Sequence, residues 1–197
     1  MLQDIPPPST YREASSVVLE TRRLVLRQPT LADVKAIARL VNDARIAENL
    51  RRVPHPYTPD DAITFITAAA RLGTDTPFLV EHAGAPIGMV GLERGSATEP
   101  ELGYWFGVDH WGMGFATEAA RAVIDFAFED ELVKRVIGGA RVVNQASRNV
   151  LEKCGFQWTG VELHRFTALG CSSPVDRFRL ERSVWASLKT WGQVKRR

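Results

Sequence analysis

The turn Gly112-Met113-Gly114 constrains what this chain can fold into more than any other feature, because of what stands on either side of it. Upstream, Glu101 to Val108 is a short run of strand character. Downstream, Ala116, Ala119, Ala120, Val123, Ile124, Ala127 and Phe128 recur at three- and four-residue steps, the pattern of an amphipathic helix. Lys134 to Val142 then returns as a short, β-branched apolar run and reads as a buried strand. Strand, tight loop, helix and strand in that order make a parallel crossover, so the chain must build a sheet with a parallel pair and a helix on its face.

The rest of the chain fits around that unit. Val17 to Arg27 sets Leu24 and Leu26 against Arg23, Val25 and Arg27, as a strand with one buried face does. Thr30, with Asp33 three residues on, caps a helix whose inward stripe is Val34, Ile37, Ala38 and Val41. Pro54-His55-Pro56-Tyr57 breaks the chain, and Thr58 followed by Pro59 opens a second helix expected to turn Ile63, Ile66 and Ala70 inward. Phe78 to Glu81 and Pro86 to Leu92 read as strands joined across His82-Ala83-Gly84-Ala85, where the glycine suits a hairpin turn. A further helix from Ser147 to Lys153 ends at Gly155, and Phe156 onward with Arg177 to Leu180 supplies closing strands. The expectation is an α/β fold, a mixed sheet with helices on its faces. Residues 1–16 read as a flexible leader, 17–190 as one domain and 191–197 as a basic tail.

Composition narrows the function. With 197 residues and 45% hydrophobic side chains the chain can bury one sizeable core. Twenty-five basic against twenty-three acidic side chains give +2, too little for a nucleic-acid surface. No run approaches the roughly 18 apolar residues of a membrane helix, and Met1 to Tyr11 lacks the apolar centre of a signal peptide. A cytoplasmic protein without membrane or nucleic-acid partners is expected, with monomer and homodimer both left open. Cys154 and Cys171 read as reduced thiols. His55, His82, His110 and His164 lack metal-ligand spacing, so no metal is assigned.

Glycines between a strand and a helix let backbone approach an anion closely, and the unpaired N–H groups of the helix's first turn point at it. Alone, the same pattern is equally an ordinary helix start. A Walker A loop is excluded, because Phe115-Ala116-Thr117 stands where Lys-Ser/Thr is needed. The dinucleotide fingerprint is disfavoured by Thr117 at its third small position and by Arg141 where an acidic residue belongs. A nucleotide that is held and not cleaved, such as CoA, fits this turn.

At this point the sequence resembles the RimJ/RimL-type branch of the GNAT acetyltransferases. Thr21-Arg22-Arg23-Leu24-Val25-Leu26-Arg27 is similar to that branch's first strand, and Glu101-Leu102-Gly103-Tyr104-Trp105 to its fourth. Trp111 to Ala119 resembles the acetyl-CoA turn, and Asn144 to Ser147 with Leu151 to Phe156 its late helix. The resemblance implies the GNAT fold, a strongly twisted, mostly antiparallel sheet with flanking helices in which two central parallel strands splay apart and the pantetheine arm of acetyl-CoA adds between them like an extra strand. It also implies pantetheine contacts near Phe106, Gly107, Val108 and Asn144, and pyrophosphate contacts over Met113, Gly114, Phe115, Ala116 and Thr117. Two residues depart from the wider pattern. Asp109 opens the turn where Gln or Arg is usual, and Leu151 stands where many members carry a tyrosine acid; Ser147, one turn earlier, is the nearest substitute and would also flank the thiol end.

The implied reaction is transfer of acetyl from acetyl-CoA to a primary amine, of a protein N-terminus or a small molecule, by direct attack on the thioester. Glu101 is the candidate base, directly or through a water, with Glu93 second; Ser147 is the candidate donor to sulfur. Each has a plain structural reading, an ion-paired strand end for Glu101 and a helix cap for Ser147. Glu162 and Asp176 read as residues that order a substrate loop. The alternative function is a non-catalytic acyl-CoA-binding or regulatory module of the same fold.

Overall fold

The computed structural model describes residues 17–72, 75–93 and 95–192, so the leader expected over 1–16 and the end of the tail lie outside the described residues. In chain order the elements are β1 (Leu19–Glu20), β2 (Leu24–Arg27), α1 (Val34–Val41), α2 (Ala44–Ala47), α3 (Pro59–Leu72), β3 (Asp75–His82), β4 (Ala85–Glu93), β5 (Glu101–Phe106), α4 (Phe115–Ala127), β6 (Arg135–Arg141), α5 (Gln145–Lys153), β7 (Gln157–Phe166), β8 (Cys171–Glu181) and α6 (Arg182–Gly192). The last helix therefore enters the segment read as a tail.

The strands form one eight-stranded sheet in the order β1-β2-β3-β4-β5-β6-β8-β7. Every pairing is antiparallel except β5 with β6. That parallel pairing consists of Glu101↔Ile137 and Leu102↔Gly138 and then stops. Gly103–Phe106 continues against β4 alone, and Gly139–Arg141 against β8 alone. The central strands thus splay, as the resemblance implied.

Two cores flank the sheet. On one face α4 presents Phe115, Ala119, Ala120, Val123, Ile124 and Ala127 to Leu102, Phe106 and Val136, joined by Leu151 of α5. The small side chains of that stripe bring the helix close to the strands. On the other face Ile37, Val41, Ile46, Ala62 and Ile66 close over Leu79 and Met89. Burial of such side chains contributes about 25 cal/mol per Å² of apolar surface removed from water.

Three local expectations are corrected. Val17 to Arg27 is not one strand but the hairpin β1–β2, because Thr21 reverses the chain. Its N–H donates to Leu24 O at 2.9 Å, and Leu24 N–H donates back to Thr21 Oγ1 at 3.0 Å. In α3, Ile66 is buried, but Ile63 is 42% exposed and Ala70 is exposed; Ala62 takes the inward place. The strand expected to reach Val108 ends at Phe106, and Val108–His110 forms a 3-10 turn. The hairpin at Ala83-Gly84 and the left-handed residue at Gly155 stand where they were expected.

Candidate active site

The start of α4 is built to leave its N–H groups open. Gly112 and Gly114 have φ of +74° and +80°, a region that costs an L-residue about 1–2 kcal/mol, so glycine is required there. The first helical bond runs from Glu118 N–H to Gly114 O at 3.1 Å, so the N–H groups of Phe115, Ala116 and Thr117 precede it. No side chain caps them. The acidic residue of this first turn, Glu118, is held away from them. It accepts from Thr21 Oγ1 at 2.7 Å, Arg23 N at 2.9 Å and Arg23 Nε at 2.7 Å. Burial pushes the Glu118 carboxyl up, but those bonds more than offset it and its pKa lies below the ordinary value.

Arg23 also braces the turn itself. Its Nη1 donates to Met113 O at 3.0 Å, and its guanidinium lies 4.5 Å from the Phe115 ring centroid. Beside it, a groove of about 760 Å³ follows the outer side of α4, with Gly114, Thr117, Arg121 and Lys153 among its lining residues. Asp109 is exposed, and its charge acts on Arg45, which is held in its charged form first by Asp43 and to a smaller degree by Asp109.

Next to the turn lies the open side of β5. Gly107 N–H donates to Ile87 O at 2.9 Å, which sets the phase of the β4–β5 ladder. Gly103, Trp105 and Gly107 point their backbone groups at β4, and Tyr104 and Phe106 point theirs toward β6. Beyond Leu102 no strand pairs with that side. The Phe106 carbonyl is taken by Trp111 Nε1 at 2.7 Å. The groups offered to the splay are therefore the Tyr104 N–H and C=O and the Phe106 N–H, while Gly107 is committed to the other side.

Across the splay stands α5. Asn144 Oδ1 caps it by accepting from Ser147 N at 3.1 Å, which leaves the Asn144 amide nitrogen as a donor. Tyr104 Oη reaches over from β5 to within 3.0 Å of both Ser147 O and Ser147 Oγ. Leu151 is 0% exposed inside the α4–α5 core and takes no part in the site.

On the opposite face of the sheet, where the splay begins, charges alternate along one line. Arg52 meets Glu93 at 2.6 Å, Arg51 lies 3.5 Å from Glu93 and 3.1 Å from Glu101, and Arg177 bonds Glu101 at 2.7 Å. Glu162 follows, 3.4 Å from Arg177 and 2.9 Å from His164. Gly139 makes room for this line: a Cβ there would stand 2.7 Å from Arg177 Nη1. Burial pushes the Glu101 carboxyl up, and the Arg177 hydrogen bond with the Arg51 charge more than offsets it, for a net lowering. Asp176 lies apart from this line, buried, accepting from Trp158 Nε1 at 2.8 Å and 3.3 Å from Arg148.

An amide-bearing arm that can pair with a strand, ending in a diphosphate that can rest on a helix N-terminus, is the ligand such a slot fits; that defines an acyl-CoA-binding protein. The acetyltransferase (GNAT) domain family matches residues 23–157. The uncharacterized N-acetyltransferase p20 of Bacillus licheniformis is 29% identical over 152 residues, which is 73% of this chain and 84% of that one. Mycobacterium smegmatis RimJ, solved in complex with a CoA disulfide, superposes with a TM-score of 0.74 at 20% identity over 86% of this chain and 90% of its own. Spermidine N-acetyltransferase from Vibrio cholerae, solved with CoA and spermine, gives 0.73 at 23% identity over 84% and 99%. The chain belongs to the GNAT acetyltransferase family and is an acetyl-CoA-dependent N-acetyltransferase.

The structure brings Phe106, Ser147, Asn144 and the 113–117 turn around one splay, with Glu101 at its root on the other face. Sequence reasoning named Tyr104, Arg23 and Arg177 only as parts of motifs or strands. Arg51 and Arg52 carried no signal at all. Among the described residues no group of three His, Cys, Asp or Glu side chains could hold a metal, and no helix is long and apolar enough to cross a membrane.

Proposed function

We propose that this enzyme acetylates α-amines, of protein N-termini or of small molecules, by direct attack on the acetyl-CoA thioester. The observation that carries the reading is the state of Glu101: with an arginine on each oxygen and a lowered pKa, it is a weak base at neutral pH. An α-amine with a pKa of roughly 7.7–8.0 is already partly neutral there, whereas a lysine amine near ~10.4 is not. Glu101 then needs only to accept a proton through water from an amine close to losing it.

In this reading the pantetheine arm lies along β5 by Phe106, Gly107 and Val108, its amides meeting the open backbone groups of Tyr104 and Phe106 because Gly107 is bonded to β4, with Asn144 donating from the other side. Met113, Gly114, Phe115, Ala116 and Thr117 hold the pyrophosphate, and Arg23, Arg121 and Lys153 favour the nucleotide end in the neighbouring groove. Ser147 meets the sulfur. The protein works in the cytoplasm as a monomer or homodimer, consistent with two unpaired cysteines, Cys154 and Cys171.

The test is release of free thiol from acetyl-CoA across a panel of α-amino peptides, small amino compounds, lysine side-chain amines and polyamines. At pH 7.5 the α-amines should give the highest kcat/KM, rising with pH through the amine's own pKa. Turnover confined to amines of pKa near ~10 would overturn the assignment, and acetyl-CoA binding without release on any amine would point to a regulatory module. Arg177→Met sharpens the role of Glu101. Losing that partner leaves burial to push the carboxyl up, so kcat/KM should gain a separate acid limb if Glu101 relays the proton.

A further inference from the structure

Tyr104 and Ser147 come from elements on opposite sides of the splay, and their contact restricts where two protons can sit. A carbonyl only accepts, so at 3.0 Å from Ser147 O the phenol must be the donor in that bond. The phenol has one proton. When it goes to the Ser147 carbonyl, the contact to Ser147 Oγ, also 3.0 Å, is made by the serine hydroxyl donating to the phenol oxygen. In the other arrangement the phenol donates to Ser147 Oγ, and the serine proton is free to turn into the splay. Ser147 is held for this exchange, since its own N–H is fixed by Asn144 Oδ1. One turn further on, Leu151 is packed against Gly138, 3.0 Å from where a Cβ would lie, and offers no polar group.

We propose that Tyr104 is a positioning residue whose hydroxyl turns Ser147 into a hydrogen-bond donor to the departing thiolate of CoA. This rests on the reading that Ser147 meets the thioester sulfur. The amine nitrogen attacks the acetyl carbon, the C–N bond forms, and the C–S bond breaks with its electron pair going to sulfur. The nitrogen proton passes to water. The phenol O–H swings its hydrogen bond from the Ser147 carbonyl to Ser147 Oγ, and Ser147 O–H donates to the sulfur anion. Neither hydroxyl gives up its proton. Burial raises the Tyr104 pKa above its ordinary value, so the phenol does not acidify a thiolate whose conjugate acid sits near ~8.5. Linked hydrogen bonds polarise one another, which strengthens the bond to sulfur.

The thiol of bound CoA reports this directly, with no acceptor required. Its pKa is read from thiolate ultraviolet absorbance in the enzyme–CoA complex as pH is varied. In the wild type it should lie below that of free CoA. Tyr104→Phe, which keeps the ring, and Ser147→Ala should each raise it by about one unit, and the double variant by no more than either. Ser147→Thr should retain the low value. In turnover, Tyr104→Phe should lower kcat about tenfold and leave the acetyl-CoA KM within about twofold, as expected for one hydrogen bond made only to the leaving group. A shift on Ser147→Ala with none on Tyr104→Phe would reduce Tyr104 to a brace and overturn the inference while leaving Ser147 at the sulfur. No shift on either overturns both. Loss of CoA binding by the wild type would instead refute the placement of the cofactor. If Tyr104→Phe does not fold, fluorotyrosine in place of tyrosine, which makes the phenol a stronger donor, decides: a bound-thiol pKa no lower than in the unlabelled enzyme refutes the proposal.

Discussion

Two helices begin beside the splay, and they begin differently. α5 is closed by Asn144, as α2 is by Asp43 and α3 by the reciprocal pair Thr58 and Asp61. α4 starts on a left-handed glycine with no side chain on its free N–H groups, and its one first-turn acid is turned away toward Arg23. A capped start is a rigid platform. An uncapped start keeps its partial positive charge for something else, and an anion at an exposed helix N-terminus gains roughly 0.3–1 kcal/mol from the dipole alone. The same local structure thus serves two roles, set by one residue at each cap.

Substitutions at those caps should break the contrast. Gly114→Asp puts a carboxylate where the pyrophosphate is proposed to rest. CoA affinity by calorimetry should fall about a hundredfold, the scale of two like charges roughly 5 Å apart near a protein surface. The melting temperature should move by only a few degrees. Unchanged affinity would remove the α4 start as the anion site. Arg23→Met should weaken CoA binding about fivefold, because it releases Met113 O and the Glu118 carboxylate together. The smallest effects separate the two functions of Asn144. Asn144→Ala removes the cap and should destabilise the protein by about 1 kcal/mol in a denaturant titration. Asn144→Asp keeps an oxygen cap but loses the amide donor, so stability should hold while CoA affinity drops about threefold. Equal stability loss in both would mean that the cap is not the source.

How much of this was written in the sequence depends on how local the interaction is. The α4 unit was legible because its glycines and its alanine stripe carry their meaning within a few residues. The β1–β2 reversal was not, since Thr21-Arg22-Arg23 contains neither glycine nor proline and turns on one threonine hydroxyl. The inward phase of α3 was misplaced by following the larger side chain. Ile63 looks like core, yet the space over β3 and α1 admits Ala62 and Ile66 instead. At the site, Asn144 and Ser147 are legible only through the resemblance of the late helix, and the cap they form is what the residues alone show. Tyr104 on Ser147 joins residues 43 positions apart, and the charged line from Arg52 to His164 gathers segments from across the chain. No periodicity encodes such meetings.

The brief pairing of β5 with β6 has one more consequence. A sheet ordinarily has two edges, and exposed ones invite other chains to add to them. Here the two backbone pairs at Glu101 and Leu102 give way to two facing edges in the middle of the sheet, between α4 and α5 on one face and the charged line on the other. A polypeptide entering there would bring side chains to the two faces in alternation. The β-alanine and cysteamine units of a pantetheine arm, which carry amides but no side chains, have the narrower cross-section. In the proposed placement of the cofactor the slot selects by girth before it selects by charge, and the sheet leaves hydrogen-bonding groups open at its centre and not on its rim.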